Sequence, residues 1–191
     1  MKASRVWAVS DPHLFHLLVS GLRDFATPED FNAAFEEDWR SKVKMSDQVW
    51  LLGDLTGGGH LDEAIKLIHS LPGIKHLIIG NHDHCFPEHR DSHRRISQYF
   101  DAFDSVQLHA RRSINGTRVL VSHFPYSGDH SIESRYDQWR LPDYGIPIVH
   151  GHTHSSDILS YSLSGTPQIN IAWEAVGGLV TFDSLQEYIH E

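Results

Sequence analysis

The sequence predicts an α/β fold in which two β-sheets form a sandwich flanked by helices, and three observations lead to it. In residues 5–79, apolar strand-like runs alternate with amphipathic helical runs, which is typical of a βαβαβ core with a parallel sheet. Residues 106–181 contain five further strand-like runs and few helical ones. In that second part, Asn115-Gly116 is a hairpin turn signal between two apolar runs. These features favour a mixed or two-sheet arrangement over one open parallel sheet.

The first part of the chain contains three predicted strands and two predicted helices. Thr27 is expected to cap a helix that begins with a proline and two acidic residues. Phe31, Phe35 and Trp39 recur every four residues and give this helix one apolar face. A second amphipathic helix over residues 61–71 ends at a Pro-Gly pair. The strands are predicted at residues 5–10, 48–52 and 76–79.

The second part is predicted to be mostly strand. Polar motifs follow several of its strand-like runs directly, as they do in the first part. Ligands of α/β sheets lie beyond the carboxyl ends of the strands, so we expect these polar motifs to converge on one edge. The strands of this part are predicted at residues 106–108, 118–121, 148–150, 169–172 and 179–181.

The composition predicts one domain spanning residues 1–191, with a hydrophobic content of 40%. Cys85 is the only cysteine, which rules out an internal disulfide framework and favours the cytoplasm. No signal peptide is expected, and no apolar run approaches the roughly 20 residues that span a membrane. The net charge of -9 argues against a long nucleic acid as partner. A small phosphate substrate remains compatible, because bound cations reverse the sign of the charge locally.

Five short polar motifs carry the chemistry, and each follows an apolar strand-like run. All of them offer His, Asp or Asn, which are nitrogen and oxygen ligands of divalent metals, and none contains a cysteine. Six of the 16 histidines of the chain lie in these motifs. The motifs are Asp11-Pro12-His13, Gly53-Asp54, Gly80-Asn81-His82-Asp83, Ser122-His123 and His150-Gly151-His152-Thr153-His154.

Each motif by itself has an ordinary structural explanation. Asp-x-His and Gly-Asp are common in turns after strands, and a lone histidine such as His123 is usually a satisfied core residue. In the last motif, His152 and His154 face the same way if the segment is extended, although an exposed loop is the alternative. Five such motifs at five strand ends are poorly explained by chance. Together they predict a metal site.

In this order, the motifs resemble the signature of the calcineurin-like metallophosphoesterase superfamily, which is Asp-x-His, Gly-Asp, Gly-Asn-His-Asp/Glu, a lone His and Gly-His-x-His. The resemblance extends from the first strand to residue 154, and no motif is missing. More narrowly, the chain looks like the small bacterial and phage-type phosphoesterases that consist of the catalytic domain alone. The resemblance implies two sheets flanked by helices with the ligands on loops at one end, which agrees with the strand pattern.

The resemblance also implies two divalent metal ions. Manganese is the expected metal, and iron, zinc, nickel and cobalt are alternatives for the same ligand types. Asp54 would bridge the two ions. The other predicted ligands form two groups, which are Asp11, His13 and His154 for the first ion and Asn81, His123 and His152 for the second.

The activity that the resemblance implies is hydrolysis of phosphate esters, with small phosphodiesters such as cyclic nucleotides as expected substrates. Two ions about 3.5–4 Å apart would clamp the phosphoryl oxygens and supply a bridging hydroxide as the nucleophile at neutral pH. His82 is expected to be the general acid for the departing alkoxide. Asp83 is expected to orient His82, and its alternative is a turn residue that satisfies the backbone.

Three further side chains are candidate substrate contacts, namely His16, Arg135 and Arg140. His16 follows closely after His13, and arginine is suited to binding phosphate. The alternatives are a surface position for His16 and an ordinary amphipathic helix face for the two arginines.

Other functions remain as alternatives, and they are a phosphomonoesterase, a nucleotide pyrophosphatase and a non-catalytic metal-binding or interaction module with the same fold. A protein phosphatase is disfavoured, because that class carries Asp where this chain has Gly57 and Glu where it has Asp83. A double-strand-break repair nuclease would need a longer chain and a more basic surface. Because every predicted ligand and His82 are retained, the sequence favours an enzyme. The oligomeric state is left open.

Overall fold

The computed structural model describes residues 4–131 and 133–189, and within them ten strands form two five-stranded sheets. Helices flank the sheets, so the predicted two-sheet α/β fold is confirmed. The strands are β1 (Val6–Val9), β2 (Gln48–Leu51), β3 (Ile74–Ile78), β4 (Ser105–Gln107), β5 (His109–Ile114), β6 (Thr117–Ser122), β7 (Ile148–His150), β8 (Leu159–Tyr161), β9 (Pro167–Asn170) and β10 (Val180–Thr181).

Both sheets have a parallel centre, and the first has one antiparallel edge strand whereas the second has two. The first sheet has the order β10-β1-β2-β3-β4, in which β1 to β4 are parallel and β10 is antiparallel. The second sheet has the order β5-β6-β7-β9-β8, in which β6, β7 and β9 are parallel and the two edge strands are antiparallel. The parallel strands of each sheet therefore bring their carboxyl ends to one edge, as the sequence predicts.

The longest helix begins where the sequence predicts it. Thr27 Oγ1 accepts a hydrogen bond from the N–H of Asp30 (3.1 Å), and the Asp30 carboxylate accepts one from the N–H of Thr27 (3.0 Å). This reciprocal pair is a capping box with Asp at the third helical position. The helices are α1 (Leu17–Leu22), α2 (Pro28–Lys42), α3 (Leu61–Ser70), α4 (Ser92–Tyr99) and α5 (Trp173–Val176), with 3₁₀ turns at Asp137–Trp139 and Phe182–Tyr188. Among these described helices, none is long and apolar enough to cross a bilayer.

Strand β2 shows how one run of apolar residues serves two layers of the core. Val49 and Leu51 belong to the layer between the first sheet and the helices, whereas Trp50 and Leu52 belong to the layer between the two sheets. This alternation follows from the twofold period of a strand, because successive side chains point to opposite faces. The helix-facing layer also contains Phe31, Phe35, Trp39, Ile65 and Ile68.

The structure departs from the sequence prediction at strand ends, at sheet edges and in the short helices α1, α4 and α5, which were not predicted. Strand β3 begins at Ile74, two residues before the predicted start, and β9 ends at Asn170, two residues before the predicted end. Strand β8 was not predicted, because it is three residues long and lies at a sheet edge with half-exposed or exposed side chains. Such a strand carries no alternation of apolar and polar residues by which it can be recognised.

Asp47 fastens the start of the first sheet. Its carboxylate accepts hydrogen bonds from the N–H of Arg5 (3.0 Å), the N–H of Lys44 (3.1 Å) and Nε1 of Trp7 (3.2 Å). Burial by itself raises the pKa of Asp47, but the bonds from Arg5 and Lys44 lower it, and the net direction is downward. One carboxylate thus joins the loop before β2 to the first residues of β1.

We predict that Asp47→Asn lowers the free energy of unfolding by about 1–3 kcal/mol at neutral pH, because the amide leaves part of this network unpaired. The folded-state pKa of Asp47 is depressed, so its contribution is present above the unfolded-state value of about 3.9 and is lost as the pH falls through the folded-state pKa. Urea unfolding should therefore show a difference between the two proteins that narrows below about pH 4.

The control for this prediction is Glu37→Gln, which removes a charge from an exposed position of α2. We expect it to change the free energy of unfolding by less than about 0.5 kcal/mol. Equal stability of the Asp47→Asn protein and the wild type at neutral pH would contradict the prediction.

Candidate metal centre

The structure brings all seven predicted metal ligands to one edge of the two sheets. Each of them lies just beyond the carboxyl end of a parallel strand, namely β1, β2, β3, β6 or β7. All are buried except His154, which is half-buried. The seven residues are Asp11, His13, Asp54, Asn81, His123, His152 and His154.

Two carboxylates stand among the histidines of this cluster. Asp54 Oδ2 lies 3.6 Å from His13 Nε2 and 3.5 Å from His123 Nε2. Asp11 Oδ1 lies 3.8 Å from His154 Nε2, and the rings of His13 and His154 are stacked at 5.1 Å between centroids. The metal-binding atoms of Asp11, His13 and His154 all lie within 4.8 Å of one another, which is the group expected around the first ion.

The amide of Asn81 joins the remaining ligands. Asn81 Oδ1 lies 3.0 Å from His123 Nε2 and 2.9 Å from His152 Nδ1. These are the three residues expected around the second ion, and His123 connects them to Asp54. The geometry therefore agrees with a bridging position for Asp54 between two groups of ligands.

The backbone of the cluster is strained. The φ angle is positive at Asp11 (54°), His13 (45°), Asp54 (55°), His152 (69°) and His154 (49°). Non-glycine residues adopt this left-handed region at a cost of about 1–3 kcal/mol each, and such residues concentrate at functional sites. Five of the seven predicted ligands share this conformation, so their side chains are turned towards the pocket at the expense of local stability.

Three of the histidines are oriented by a hydrogen bond on the ring nitrogen that points away from the cluster. His123 Nδ1 lies 2.8 Å from the carbonyl oxygen of Leu52. His154 Nδ1 lies 3.0 Å from Glu174 Oε1, and His152 Nε2 lies 3.2 Å from Asp129 Oδ2. Because these oxygens only accept, the outer nitrogen carries the proton in the neutral ring. The inner nitrogen then presents a lone pair to the cluster.

The inner atoms of the cluster fit a cation. In the neutral rings, His123 Nε2 and His152 Nδ1 are acceptors, and each of them faces another acceptor, Asn81 Oδ1, at about 3 Å. Both ring nitrogens of His13 are buried without a hydrogen-bond partner among the described residues. Lone pairs and orphaned nitrogens at these distances repel one another or stay unsatisfied unless a cation binds them. The donor set suits manganese, iron, zinc, nickel or cobalt.

Two of the predicted histidine ligands have a lowered pKa because they are buried, and two have a raised pKa because carboxylates lie close to them. Burial lowers the pKa of His154, but its hydrogen bond to Glu174 and the charge of Asp11 raise it to about 9. Burial likewise lowers the pKa of His123, and the charges of Asp54 and Asp11 raise it overall. Burial raises the pKa of Asp54 itself to about 6. The carboxylates therefore stabilise positive charge on part of the cluster, whereas burial favours the neutral form of the other histidine ligands.

His82 lies at the mouth of the cluster. Its N–H donates a hydrogen bond to Asp54 Oδ1 (2.8 Å), its side chain is exposed, and its ring lies 5.3 Å from the ring of His13. Partial burial and the neighbouring His123 lower the pKa of His82. The backbone bond to Asp54 holds the imidazole next to the cluster while the ring stays free to meet a substrate.

Asp83 braces the loops that carry the ligands. Its buried carboxylate accepts hydrogen bonds from the N–H groups of Gly80 (2.7 Å), Asp54 (3.1 Å) and Leu55 (3.1 Å). Burial and the charge of Asp54 raise the pKa of Asp83 to about 7. The hydrogen bonds described for this carboxylate go to the backbone and not to the His82 ring, so its placement agrees with the structural alternative. A catalytic role for Asp83 stays a prediction.

His16 lines the cluster at the start of α1. Its Nδ1 accepts a hydrogen bond from the N–H of Val19 (3.3 Å), so the neutral ring carries its proton on Nε2. The ring lies 5.8 Å from the ring of His13. A Cβ at Gly57 would overlap this ring, so the glycine provides the room that His16 occupies. This placement agrees with a substrate contact, which stays a prediction.

Arg135 and Arg140 bind the carboxylate of Asp129. Arg135 Nη2 lies 2.9 Å from Asp129 Oδ1, and Arg140 Nη2 lies 3.3 Å from Asp129 Oδ2. The side chain of Arg140 is only 4% exposed and also donates to the carbonyl oxygens of Pro125 and Arg135. Its donors are thus directed at protein acceptors, which favours a structural role. Arg135 is 40% exposed, and a substrate contact by either arginine stays a prediction.

Sequence reasoning did not find the residues that support the ligands. The side chain of Arg23 is 3% exposed and donates to the carbonyl oxygens of Asp11 (2.7 Å) and Pro12 (2.9 Å) and to Glu174 Oε1 (2.7 Å). Glu174 in turn binds His154, so one arginine links two ligand loops. Metal-binding histidines nearly always have such an outer partner, but that rule does not say where in the chain the partner lies.

Close approach of the loops requires glycine at three positions. A Cβ at Gly53 would lie 2.6 Å from Gly80 Cα and His123 Nδ1. A Cβ at Gly80 would overlap the Asp54 carboxylate, and a Cβ at Gly151 would overlap Ser10 Oγ and the Asp11 carboxylate. Real Cβ atoms do not tolerate such contacts, so each glycine lets one ligand loop lie against another.

We predict that Gly151→Ala lowers both metal content and thermal stability. The new methyl group must displace Asp11, whose carboxylate also accepts hydrogen bonds from Ser10 Oγ and the N–H of His152. Overpacking of this kind typically costs about 1–3 kcal/mol. Metal analysis and thermal melts test this, with Gly58→Ala as control because no atom lies within 4 Å of its added Cβ. Two variants with the same metal content and melting temperature would contradict the prediction.

Comparison with known proteins identifies the family. The sequence profile of the calcineurin-like phosphoesterase superfamily domain matches residues 5–170. The chain is 40% identical to the Gene 66 protein of Mycobacterium phage D29 and 39% identical to that of Mycobacterium phage L5, and each alignment covers 98% of this chain and 97% of the relative. The fold is similar to that of a protein of unknown function from Aquifex aeolicus, with a TM-score of 0.70 and 20% identity over 97% of this chain and 99% of that one. The chain belongs to the calcineurin-like phosphoesterase superfamily, a metal-dependent family.

Proposed function

We propose that the protein is a hydrolase that depends on two metal ions and cleaves small phosphate esters, with phosphodiesters such as cyclic nucleotides as its preferred substrates. The observation that carries this proposal is the pair of ring nitrogens that lie about 3 Å from Asn81 Oδ1 and that are acceptors, like this oxygen, when the rings are neutral. Buried acceptors that face one another are unfavourable until a cation binds them. The family membership assigns the reaction class, and the preference for diesters follows the same resemblance.

The two ions are assigned to the two ligand groups that the distances define. Asp11, His13 and His154 would hold one ion, and Asn81, His123 and His152 the other. Asp54 would contribute to both, since its Oδ2 lies within 3.6 Å of a histidine from each group. When bound, two divalent ions would offset the charge of the phosphate and acidify a water that attacks phosphorus. Manganese is the metal we expect.

The protein residues at the mouth of the cluster would act on the substrate. His82 is held beside Asp54 by its backbone, so its exposed ring is positioned to give a proton to the departing alkoxide oxygen. His16 carries its neutral-form proton on Nε2, which would donate a hydrogen bond to a phosphoryl oxygen. Both side chains lie beside His13 and therefore beside the site of the first ion.

The proposal is tested by removing metal from the protein with a chelator, adding back one metal at a time and measuring hydrolysis of a panel of substrates. The substrates are cyclic nucleotides, bis-nitrophenyl phosphate as a model diester, nitrophenyl phosphate as a monoester and a dinucleotide pyrophosphate. We expect metal-dependent turnover with the highest kcat/KM on a diester. Faster turnover of the monoester or the pyrophosphate would show that this compound class, and not phosphodiesters, is the preferred substrate. Metal binding without any hydrolysis would favour the non-catalytic module.

We predict that His82→Asn reduces turnover of substrates with alkyl leaving groups by about 10²–10⁴-fold while metal content stays unchanged. Nitrophenyl leaving groups need no proton, so their turnover should fall much less. His93→Asn is the control, since it removes an exposed histidine of α4. An equal loss on both kinds of substrate would reject His82 as the proton donor.

We predict that Asp54→Asn abolishes most of the thermal stabilisation that added Mn²⁺ gives to the chelated wild type. A ligand at 100 times its Kd stabilises by about 2.7 kcal/mol, and this gain requires a competent site. Without metal, the variant should be at least as stable as the metal-free wild type. The reason is that burial disfavours the charged form of Asp54, as its raised pKa shows, and asparagine carries no charge. Asp62→Asn on α3 is the control for loss of an exposed charge. A normal Mn²⁺ response in the Asp54→Asn protein would contradict the assignment.

A further inference from the structure

The segment between β6 and β7 places one carboxylate behind a predicted metal ligand. Asp129 Oδ2 lies 3.2 Å from His152 Nε2, on the side of the ring that points away from Asn81. The side chain of Asp129 is 1% exposed, so the carboxylate is almost completely desolvated. A carboxylate in that position must be held by partners that compensate for its lost hydration.

Two guanidinium groups supply that compensation. Arg135 Nη2 lies 2.9 Å from Asp129 Oδ1, and Arg140 Nη2 lies 3.3 Å from Asp129 Oδ2. The N–H of Arg135 donates to Asp129 as well (3.2 Å). Arg140 is itself fixed, because it donates to the carbonyl oxygens of Pro125 (3.0 Å) and Arg135 (3.0 Å). Asp129 is therefore anchored in one place before any metal or substrate binds.

This anchored carboxylate decides which nitrogen of His152 is free. An ionised carboxylate only accepts hydrogen bonds, so the proton of the neutral ring must lie on Nε2, next to Asp129. Nδ1 is then left with its lone pair directed at Asn81 Oδ1, 2.9 Å away. In the absence of Asp129, the ring would prefer the other tautomer, because Nδ1–H would donate to that amide oxygen.

We propose that Asp129 is a positioning residue that holds His152 in the tautomer and orientation needed to bind a metal ion, with Arg140 keeping Asp129 in place. The inference rests on the proposed function in one respect, which is that His152 is a metal ligand. A carboxylate behind a metal-binding histidine fixes the tautomer and makes the ring a better ligand, and its removal typically weakens metal binding about 10–100-fold.

A third cation site is the competing explanation of the same residues. The metal-binding atoms of Asp129, His130 and His152 lie within 4.8 Å of one another. However, Arg135 and Arg140 already place two positive charges against this carboxylate, and His130 is about half exposed. A divalent ion there would have to overcome the repulsion of both guanidinium groups, so the contacts favour positioning.

The test compares Asp129→Ala with Asp137→Ala. Asp137 is a matched control, because its Oδ1 lies 3.2 Å from Nε of the same Arg140 but its described contacts do not reach His152. Metal-free proteins are titrated with Mn²⁺ by calorimetry. Relative to the wild type, Asp129→Ala should bind one equivalent of Mn²⁺ with about 10–100-fold lower affinity, and Asp137→Ala should bind Mn²⁺ with unchanged affinity. Asp129→Asn keeps an acceptor for Nε2–H, so it should recover part of the lost affinity.

A second measurement needs no metal, and its decisive result comes from the wild type. Long-range ¹H–¹⁵N NMR of the metal-free wild type, labelled on histidine, reports which ring nitrogen carries the proton. We expect the proton of His152 on Nε2, and a shift towards Nδ1–H in Asp129→Ala. A proton on Nδ1 in the wild type would overturn the proposal even if the alanine variant fails to fold.

The outcomes separate this inference from the proposed function. If the wild type takes up no metal, the proposed function fails, while the tautomer still tests the role of Asp129. If the wild type binds metal and Asp129→Ala binds it equally well, the positioning role is overturned and the proposed function stands. A third equivalent of Mn²⁺ that is lost only in Asp129→Ala would overturn positioning in favour of a separate cation site.

Discussion

The structure depends on one electrostatic constraint, which is the convergence of lone pairs and carboxylates in a buried space. In its neutral form, each histidine that is held by an outer hydrogen bond presents an unprotonated nitrogen to its neighbours, and Asn81 and Asp54 present oxygens to the same space. Such an arrangement is unfavourable by itself, since acceptors at about 3 Å repel one another. The surrounding fold has to hold it together until cations compensate for it.

Much of the local architecture serves to hold that arrangement. Asp83 ties the loop after β2 to the loop after β3 through backbone N–H groups. Arg23 ties the loop after β1 to Glu174, and Arg140 ties the segment before β7 to Asp129. Asp54 and Asp83 are both buried but have different roles. Asp54 faces the cluster and contributes negative charge to it, whereas Asp83 accepts hydrogen bonds from the backbone and stabilises the loops. Five of the seven predicted ligands have a left-handed backbone, which is a strained conformation. The contacts described above stabilise the loops enough to hold this conformation.

The prediction of the fold succeeded where a strand or helix buries apolar side chains. The central strands of both sheets and the helices α2 and α3 follow from apolar periodicity and from the Thr27 cap, and their positions agree with the sequence prediction within about two residues, the usual uncertainty of element ends. Strands β5 and β8 at the sheet edges, and the short helices α1, α4 and α5, carry weak or partial apolar patterns. Their pairing and docking depend on neighbours that are distant in the chain, so local pattern alone does not reveal them.

For the site, the sequence by itself determined which residues converge, because each motif follows a strand and parallel strands end at one edge. It did not identify the residues that orient the ligands. Asp129 is 23 residues from His152, Glu174 is 20 from His154, and Arg23 is 151 from Glu174, with no motif around any of them. Only tertiary structure decided these pairings, since a hydrogen bond to the outer nitrogen of a histidine requires a correctly placed acceptor and not a particular sequence context. The same holds for the contact between Arg140 and Asp129, which no local pattern in the sequence indicates.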